Sequence, residues 1–395
     1  MDFSLTPEQL QVERDIYEYL EKLITPEVKA ELSLTHEGGG PDTHPHFTNA
    51  IRQMGKDGWL GIGWPEEYGG QGRNAIEQYI FFDATWGYYC LPIPMLALNT
   101  VGPALMRHGT DEQKNRFLPQ ILKGELHISI GYTEPDAGSD LASLRTKAEK
   151  DGDDYVINGN KIFTSMAHFC DYIWLAARTD PDAKKHKGIS IFMIDINTPG
   201  ITVDPLVTMG GLQSNFTYYD NVRVPKSCLI GEENKGWYYI NSQLAMERIM
   251  LSAHSRPRRT LEETIAWAKE HTFDGKPVIE QPWVRNLCAD LAVDIEVLKI
   301  FNFWVAWQLT QGVEPFADAS MTKIFGTELL QKVNNGSTQI MGSFGGLQPG
   351  CDLAPSGGRI QREFLSMRNV TFGGGANEIL RDVIAMLALG MPRSR

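Results

Sequence analysis

Between Ile240 and Leu251 the sequence INSQLAMERIML sets Ile240, Leu244, Glu247 and Leu251 at steps of four, three and four, so they share one face of a helix. That places a carboxylate inside an apolar stripe. An ionised Glu is costly to bury unless paired, and a carboxylate that holds its proton more tightly than usual suits proton transfer near neutral pH. Arg248 is adjacent in sequence but projects in a different direction. The same periodicity also fits a rim carboxylate leaning into water, and the segment alone does not choose between the two.

Two further stretches could bind a ligand. The segment YTEPDAGSD, Tyr132 to Asp140, leaves a strand and gathers Thr133, Gly138 and Ser139 into a turn-prone loop. Such loops offer backbone N–H groups and hydroxyls to an oxygen-rich ligand, although the same composition also makes plain surface turns. Downstream, Phe163 and Ser165 lie two apart and are expected on one face of a strand. A ring beside a small hydrogen-bonding group could flank a flat heteroaromatic cofactor; core packing of Phe163 is the alternative.

These residues need elements to hold them. At the N-terminus, Thr6 reads as an N-cap, Pro7 as the first helical residue and Gln9 as the partner of a capping box. Helical patterning continues through 46–55, 75–87, 98–108 and 111–122, broken by the turn-rich WPEEYGGQG. After Gly124 the texture becomes that of strands, with HISIGYT, DYVINGNKIFTS, YIWLAART, GISIFMIDI and ITVDPLV. Asn158-Gly159 predicts a type I′ hairpin turn between two of them. Helical texture returns through 261–271, 284–311, 316–341 and 378–389. The expectation is an α+β chain with an N-terminal helical domain over 1–125, a middle β-domain, barrel or sandwich, over 126–236, and a C-terminal helical domain over 237–395.

Composition narrows the function. With 395 residues, 42% hydrophobic and 22% charged, the chain reads as globular. Its net charge of −12, with neither basic stripe nor polybasic tail, argues against nucleic acid or an anionic membrane as partner. The five scattered cysteines suggest reduced thiols rather than disulfides or a metal site. With no basic-then-apolar leader and no run of about 18 apolar residues, the expected location is cytoplasmic, without a membrane span. The basic segments PDAKKHKG and SRPRRT read as solvated loops, the second close enough to Glu247 to meet a phosphate or a partner subunit.

Taken in order, YTEPDAGSD, INGNKIFTS, VRVPKSCLIGEENKGW, MERIMLSA and FGGGANEILRD make the chain resemble the acyl-CoA dehydrogenases over almost its whole length, WPEEYGGQG included. The resemblance implies a helical domain, a central β-barrel domain and a C-terminal four-helix-bundle-type domain. It also implies FAD as cofactor and an acyl-CoA as substrate, oxidised to its trans-2-enoyl form. By family position, Tyr132, Thr133, Gly138 and Ser139 hold the flavin, with Ser139 also near the acyl-CoA. Phe163 packs on the isoalloxazine, Ser165 bonds near N5, and Asn377 and Glu378 touch the AMP part. Leu244, Arg248, Gly374 and Gly375 line the acyl-CoA path. The family carries its catalytic Glu either where this chain has Gly374 or where it has Glu247, as in the isovaleryl-type branch. The resemblance thus makes Glu247 the base for the α-proton, with hydride passing to flavin N5. Small residues at Gly374, Gly375, Ala376 and Ala245 leave room for a branched or bulky acyl group, and the resemblance implies a sterol-derived one.

The sequence departs from the family in the stretches that homotetrameric members offer to a neighbouring subunit. Homotetrameric members use an arginine in an RxxFG motif on the neighbouring subunit's FAD; here His271 and Asp274 stand in EHTFDGKP, and Ser343 replaces a second glycine in QIMGSFGG. A cationic fork suited to pyrophosphate is missing. The expected partner is therefore a paralogous chain in an α2β2 assembly, as in heteromeric actinobacterial sterol-degrading members, with a homotetramer as alternative. An electron-transfer flavoprotein is the expected acceptor. A flavin oxidase or monooxygenase, or a non-catalytic subunit, are the competing functions.

Overall fold

The computed structural model describes residues 4–34, 40, 42–241 and 252–392. Helix α1, Pro7–Leu23, starts as its sequence requires: Thr6 Oγ1 accepts the Gln9 N–H at 3.3 Å and Gln9 Oε1 accepts the Thr6 N–H at 2.9 Å. Val12, Ile16 and Leu20 are its buried face. Helices α2 (Pro26–Leu34), α3 (Pro45–Lys56), α4 (Ala75–Phe82), α5 (Gly102–His108) and α6 (Asp111–Leu122) follow. The α-helix expected over 75–87 stops at Phe82 and widens into a π-helical turn over Asp83–Tyr88. A second such turn, Leu96–Val101, precedes α5. Wide turns of this kind are rare and gather at functional sites.

The central sheet contains β1 (Ile128–Gly131), β2 (Lys147–Asp151), β3 (Asp154–Lys161), β4 (Tyr172–Arg178), β5 (Ile189–Asp195), β6 (Ile201–Val207), β7 (Gln213–Pro225) and β8 (Leu229–Ile230). Strands neighbour one another in the order β6-β7-β3-β2-β4-β5-β8, and β1 lies parallel to β4. The predicted turn at Asn158-Gly159 is absent, because β3 runs through both residues. The chain reverses instead at Gly152, φ +64°, between the paired Asp151 and Asp154. Gly159 serves a bulge: register with β7 shifts between Ile157 and Gly159, and a Cβ there would lie 2.6 Å from Thr146 Oγ1.

The C-terminal part holds α7 (Ser255–Glu270), α8 (Pro282–Thr310), α9 (Phe316–Met341), α10 (Arg359–Ser366) and α11 (Asn377–Leu387). SRPRRT is therefore not a solvated loop. It forms the start of α7 and buries Ser255, Arg256, Pro257 and Thr260, because this end of the helix faces the π-turn at Asp83–Tyr88 and α10. One core cluster joins the N-terminal helices to β1 and the outer part of the sheet, a second lies within the sheet, and a third lies among α7, α8 and α9. No described helix is long and apolar enough to cross a membrane.

Candidate active site

The loop after β1 is held from below by a buried ion pair. Lys161, at the end of β3, is 0% exposed and Glu134 is 6% exposed; Lys161 Nζ donates to Glu134 Oε1 at 2.8 Å and to the Tyr132 carbonyl at 3.0 Å. Glu134 also accepts the Arg145 N–H at 2.6 Å and the Thr146 N–H at 2.8 Å. Burial opposes charge on both groups. At Glu134 the Lys161 charge and these hydrogen bonds outweigh it and hold the carboxyl below its usual range. At Lys161 burial prevails over the pull of Glu134 and lowers the ammonium to about 8, so both partners are charged at neutral pH.

This pair couples the two motifs. Thr133 accepts the Ile162 N–H at 2.9 Å through its carbonyl, so the chain leaving β3 is tied beside the loop. Phe163 then emerges at φ +59° with its ring 52% exposed. A bulky residue in that conformation is uncommon. The strand has already ended at Lys161, so Phe163 and Ser165 do not share a strand face as expected; positive φ in the segment beyond, not strand alternation, sets their directions. Ser165 shares a 3.2 Å hydrogen bond with the Ser214 hydroxyl, and its carbonyl accepts from Ser129.

Tyr132 turns its side chain into the core, where its hydroxyl accepts from Trp174 Nε1 at 3.0 Å, leaving its main chain to border the loop. Gly138 and Ser139 are exposed, with nothing within 4 Å of where a Gly138 side chain would begin. The glycine turn before α11 is pinned from within. Lys323 Nζ, fully buried, donates to the Gly375 carbonyl at 2.8 Å and to Asn377 Oδ1 at 2.9 Å. Asn377 is buried and donates to Thr327 and Glu328, whereas Glu378 is exposed. Gly374 and Gly375 adopt φ of +64° and +103°, conformations that favour glycine.

Glu247, Leu244, Arg248 and Ala245 lie outside the described residues. The chain just after them is anchored firmly. In the π-turn, buried Asp83 accepts the Ser255 N–H at 3.0 Å and the Ser255 hydroxyl, and lies 3.0 Å from His254 Nδ1. Burial pushes Asp83 up, but His254 and Ser255 outweigh it and keep the carboxyl below its ordinary value.

Sequence reasoning missed Glu134, Lys161, Lys323 and Asp83. Their signal was a charged residue inside an otherwise apolar or motif-dense stretch, the feature that drew attention to Glu247. His271, where the sequence departs from the family pattern, is engaged locally. Its ring stacks on Trp267 at 4.1 Å beside Phe344, and its Nδ1 bonds the Trp267 carbonyl at 2.9 Å.

Three family models match the chain in order: the acyl-CoA dehydrogenase N-terminal domain over residues 6–125, the middle domain over 129–222 and the C-terminal domain over 234–389. The chain belongs to the acyl-CoA dehydrogenase family and is an oxidoreductase of that class. It is similar to acyl-CoA dehydrogenase FadE26 of Mycobacterium tuberculosis, 42% identical with 100% of both chains covered. FadE29 of the same organism is also 42% identical, covering 100% of this chain and 99% of its own. Among solved structures, the Tcur3481-Tcur3483 steroid ACAD superposes with a TM-score of 0.92 at 42% identity, with full coverage of both chains. The ChsE4-ChsE5 complex from Mycobacterium tuberculosis gives 0.91 at 42%, again with full coverage of both.

Proposed function

We propose that the chain carries out FAD-dependent α,β-dehydrogenation of a branched or bulky acyl-CoA thioester, such as one with a sterol-derived acyl group, and that Glu247 takes the α-proton. The observation that supports this best is the joint anchoring of Thr133 and Phe163: one buried ion pair fixes the loop, and one backbone hydrogen bond sets a half-exposed ring beside it. A flat ring, a short hydroxyl and an unobstructed glycine loop fit a flat heteroaromatic group with a phosphate tail. Tyr132 through its main chain, Thr133, Gly138, Ser139, Phe163 and Ser165 would hold FAD, with Asn377 and Glu378 toward its AMP part. Bound there, FAD would supply the acceptor for the hydride leaving the β-carbon.

The remaining work falls to the chain itself. Glu247 would remove the α-proton, and the Gly374 N–H would donate to the thioester carbonyl as negative charge develops on it. Leu244, Arg248 and Gly375 would line the acyl-CoA path. The division at 125/126 and 236/237 assigns the flavin loops to the middle domain and the base to the C-terminal one.

The partner we propose is a paralogous chain. His271 lies flat on Trp267 and presents no guanidinium fork for a neighbour's pyrophosphate. The names of the two solved structures, Tcur3481-Tcur3483 and ChsE4-ChsE5, each join two designations. An electron-transfer flavoprotein would reoxidise the enzyme, in the cytoplasm.

The test is flavin bleaching by a panel of acyl-CoA thioesters, with the chain purified alone and together with a paralogous partner. Glu247→Gln is expected to abolish bleaching while retaining flavin. Bleaching at the wild-type rate would remove Glu247 as base, and a flavin-free protein in every assembly would remove the cofactor assignment.

A further inference from the structure

Away from the flavin loops, a cavity of about 370 Å³ lies between the N-terminal helices and the C-terminal part. Among the described residues, five cations line it: Lys29, Arg256, Arg259, Arg359 and Arg362. They face one lining carboxylate, Glu363, with Glu263 behind the wall. That leaves an excess of three positive charges in a partly enclosed space, where counter-ions are worth more than at an open surface.

The positive charge is not used up. Arg256 is only 8% exposed, and its Nε faces Glu363 at 3.6 Å, beyond hydrogen-bond reach. Arg359 lies 2.9 Å from the same Glu363 and 2.7 Å from Glu263, and Arg259 lies 2.8 Å from Glu263. Arg362 has no described carboxylate at ion-pair distance and donates a terminal nitrogen to the Ser33 carbonyl. Four arginines thus share two carboxylates around one cavity, which leaves attraction for an anion. The Trp86 ring, with the Arg256 guanidinium 5.4 Å from its centroid, adds an apolar wall.

We infer that this cavity binds a carboxylate carried on a small apolar body. Arginine charge already shared with two wall carboxylates suits a monoanion better than a phosphate dianion, and the rings of Trp86, Tyr88 and Tyr89 suit an apolar body. The carboxylate could belong to a free acid or to the far end of an acyl group whose thioester lies at the active site. Only the second source rests on the proposed reaction.

The test uses the purified assembly at fixed ionic strength. Hexanoate, cyclohexanecarboxylate, inorganic phosphate and CoA are titrated while the thermal midpoint is followed. A saturable rise with either carboxylate is expected, with Kd weakened about tenfold or more in both Arg256→Met and Arg362→Met. Should one variant fail to fold, the other carries the comparison. No saturable rise with either carboxylate, an unchanged Kd in the variants, or tighter binding of phosphate would overturn the assignment. To identify the source, kcat/KM is compared for an acyl-CoA ending in a carboxylate and for its methyl ester. A preference for the acid that Arg256→Met removes supports the acyl tail; equal values beside binding of the free acids support a free ligand. Bleaching by an uncharged acyl-CoA tests the reaction itself, so the two readings fail separately.

Discussion

Lys161 and Arg256 are both buried cations beside buried carboxylates, but they are satisfied to different degrees. Lys161 meets one carboxylate and one carbonyl at hydrogen-bond distance, and its partner Glu134 accepts two backbone N–H groups as well. The cluster is neutral and closed on itself. Arg256 belongs to a group of four arginines that share two carboxylates around a cavity. A closed cluster holds a loop in one shape, whereas an open one leaves attraction for something else. The difference separates a structural ion pair from a binding site better than burial alone, since both cations are buried.

The largest effect should come from opening the closed cluster. Lys161→Met strands Glu134 as a buried charge with only its backbone donors. A loss of about 3–5 kcal/mol is expected, as for other buried pairs broken on one side. Urea unfolding measures it, and weaker FAD retention should accompany it because the loop from Tyr132 to Asp140 loses its anchor. Adding Glu134→Gln to the same chain should restore part of the stability; a double variant as unstable as the sum of the two singles would show that the pair does not act as a unit.

Acid provides a gentler way to open it. Glu134 is held below its ordinary value, so its contribution is fully present above the unfolded carboxylate value of about 4.3 and is lost as pH falls through its folded value. The wild-type thermal midpoint should therefore fall more steeply below that pH than the midpoint of Glu134→Gln. Parallel acid limbs would contradict the assignment.

These clusters also show what a sequence can disclose. The helix start at Thr6 was legible because capping is local, decided within four residues. Gly159 misled because a glycine after asparagine signals a turn locally, while its real constraint is Thr146 across the sheet. The two loops were legible as motifs; why Glu134 and Lys161 stand in them emerged only when β3 brought together residues 27 apart. The arginine cavity was read as solvated charge because α2, the π-turn, α7 and α10 supply its walls from four distant segments. Periodicity reports which face of a helix is apolar, but not which charges from elsewhere meet there.

The smallest effect, and the one that sharpens the contrast most, concerns Arg256 with no anion present. Arg256→Met keeps the apolar stem and removes one charge from a group already carrying excess positive charge. Glu363 is not abandoned, since Arg359 remains 2.9 Å from it. Unfolding free energy at low salt should therefore change by less than about 1 kcal/mol, in contrast to Lys161→Met. Raising sodium chloride should stabilise the wild type more than the variant, because screening relieves repulsion that the variant has already lost. A loss from Arg256→Met comparable to that from Lys161→Met would mean that Arg256 is the partner of a closed pair, and the distinction between the two clusters would collapse.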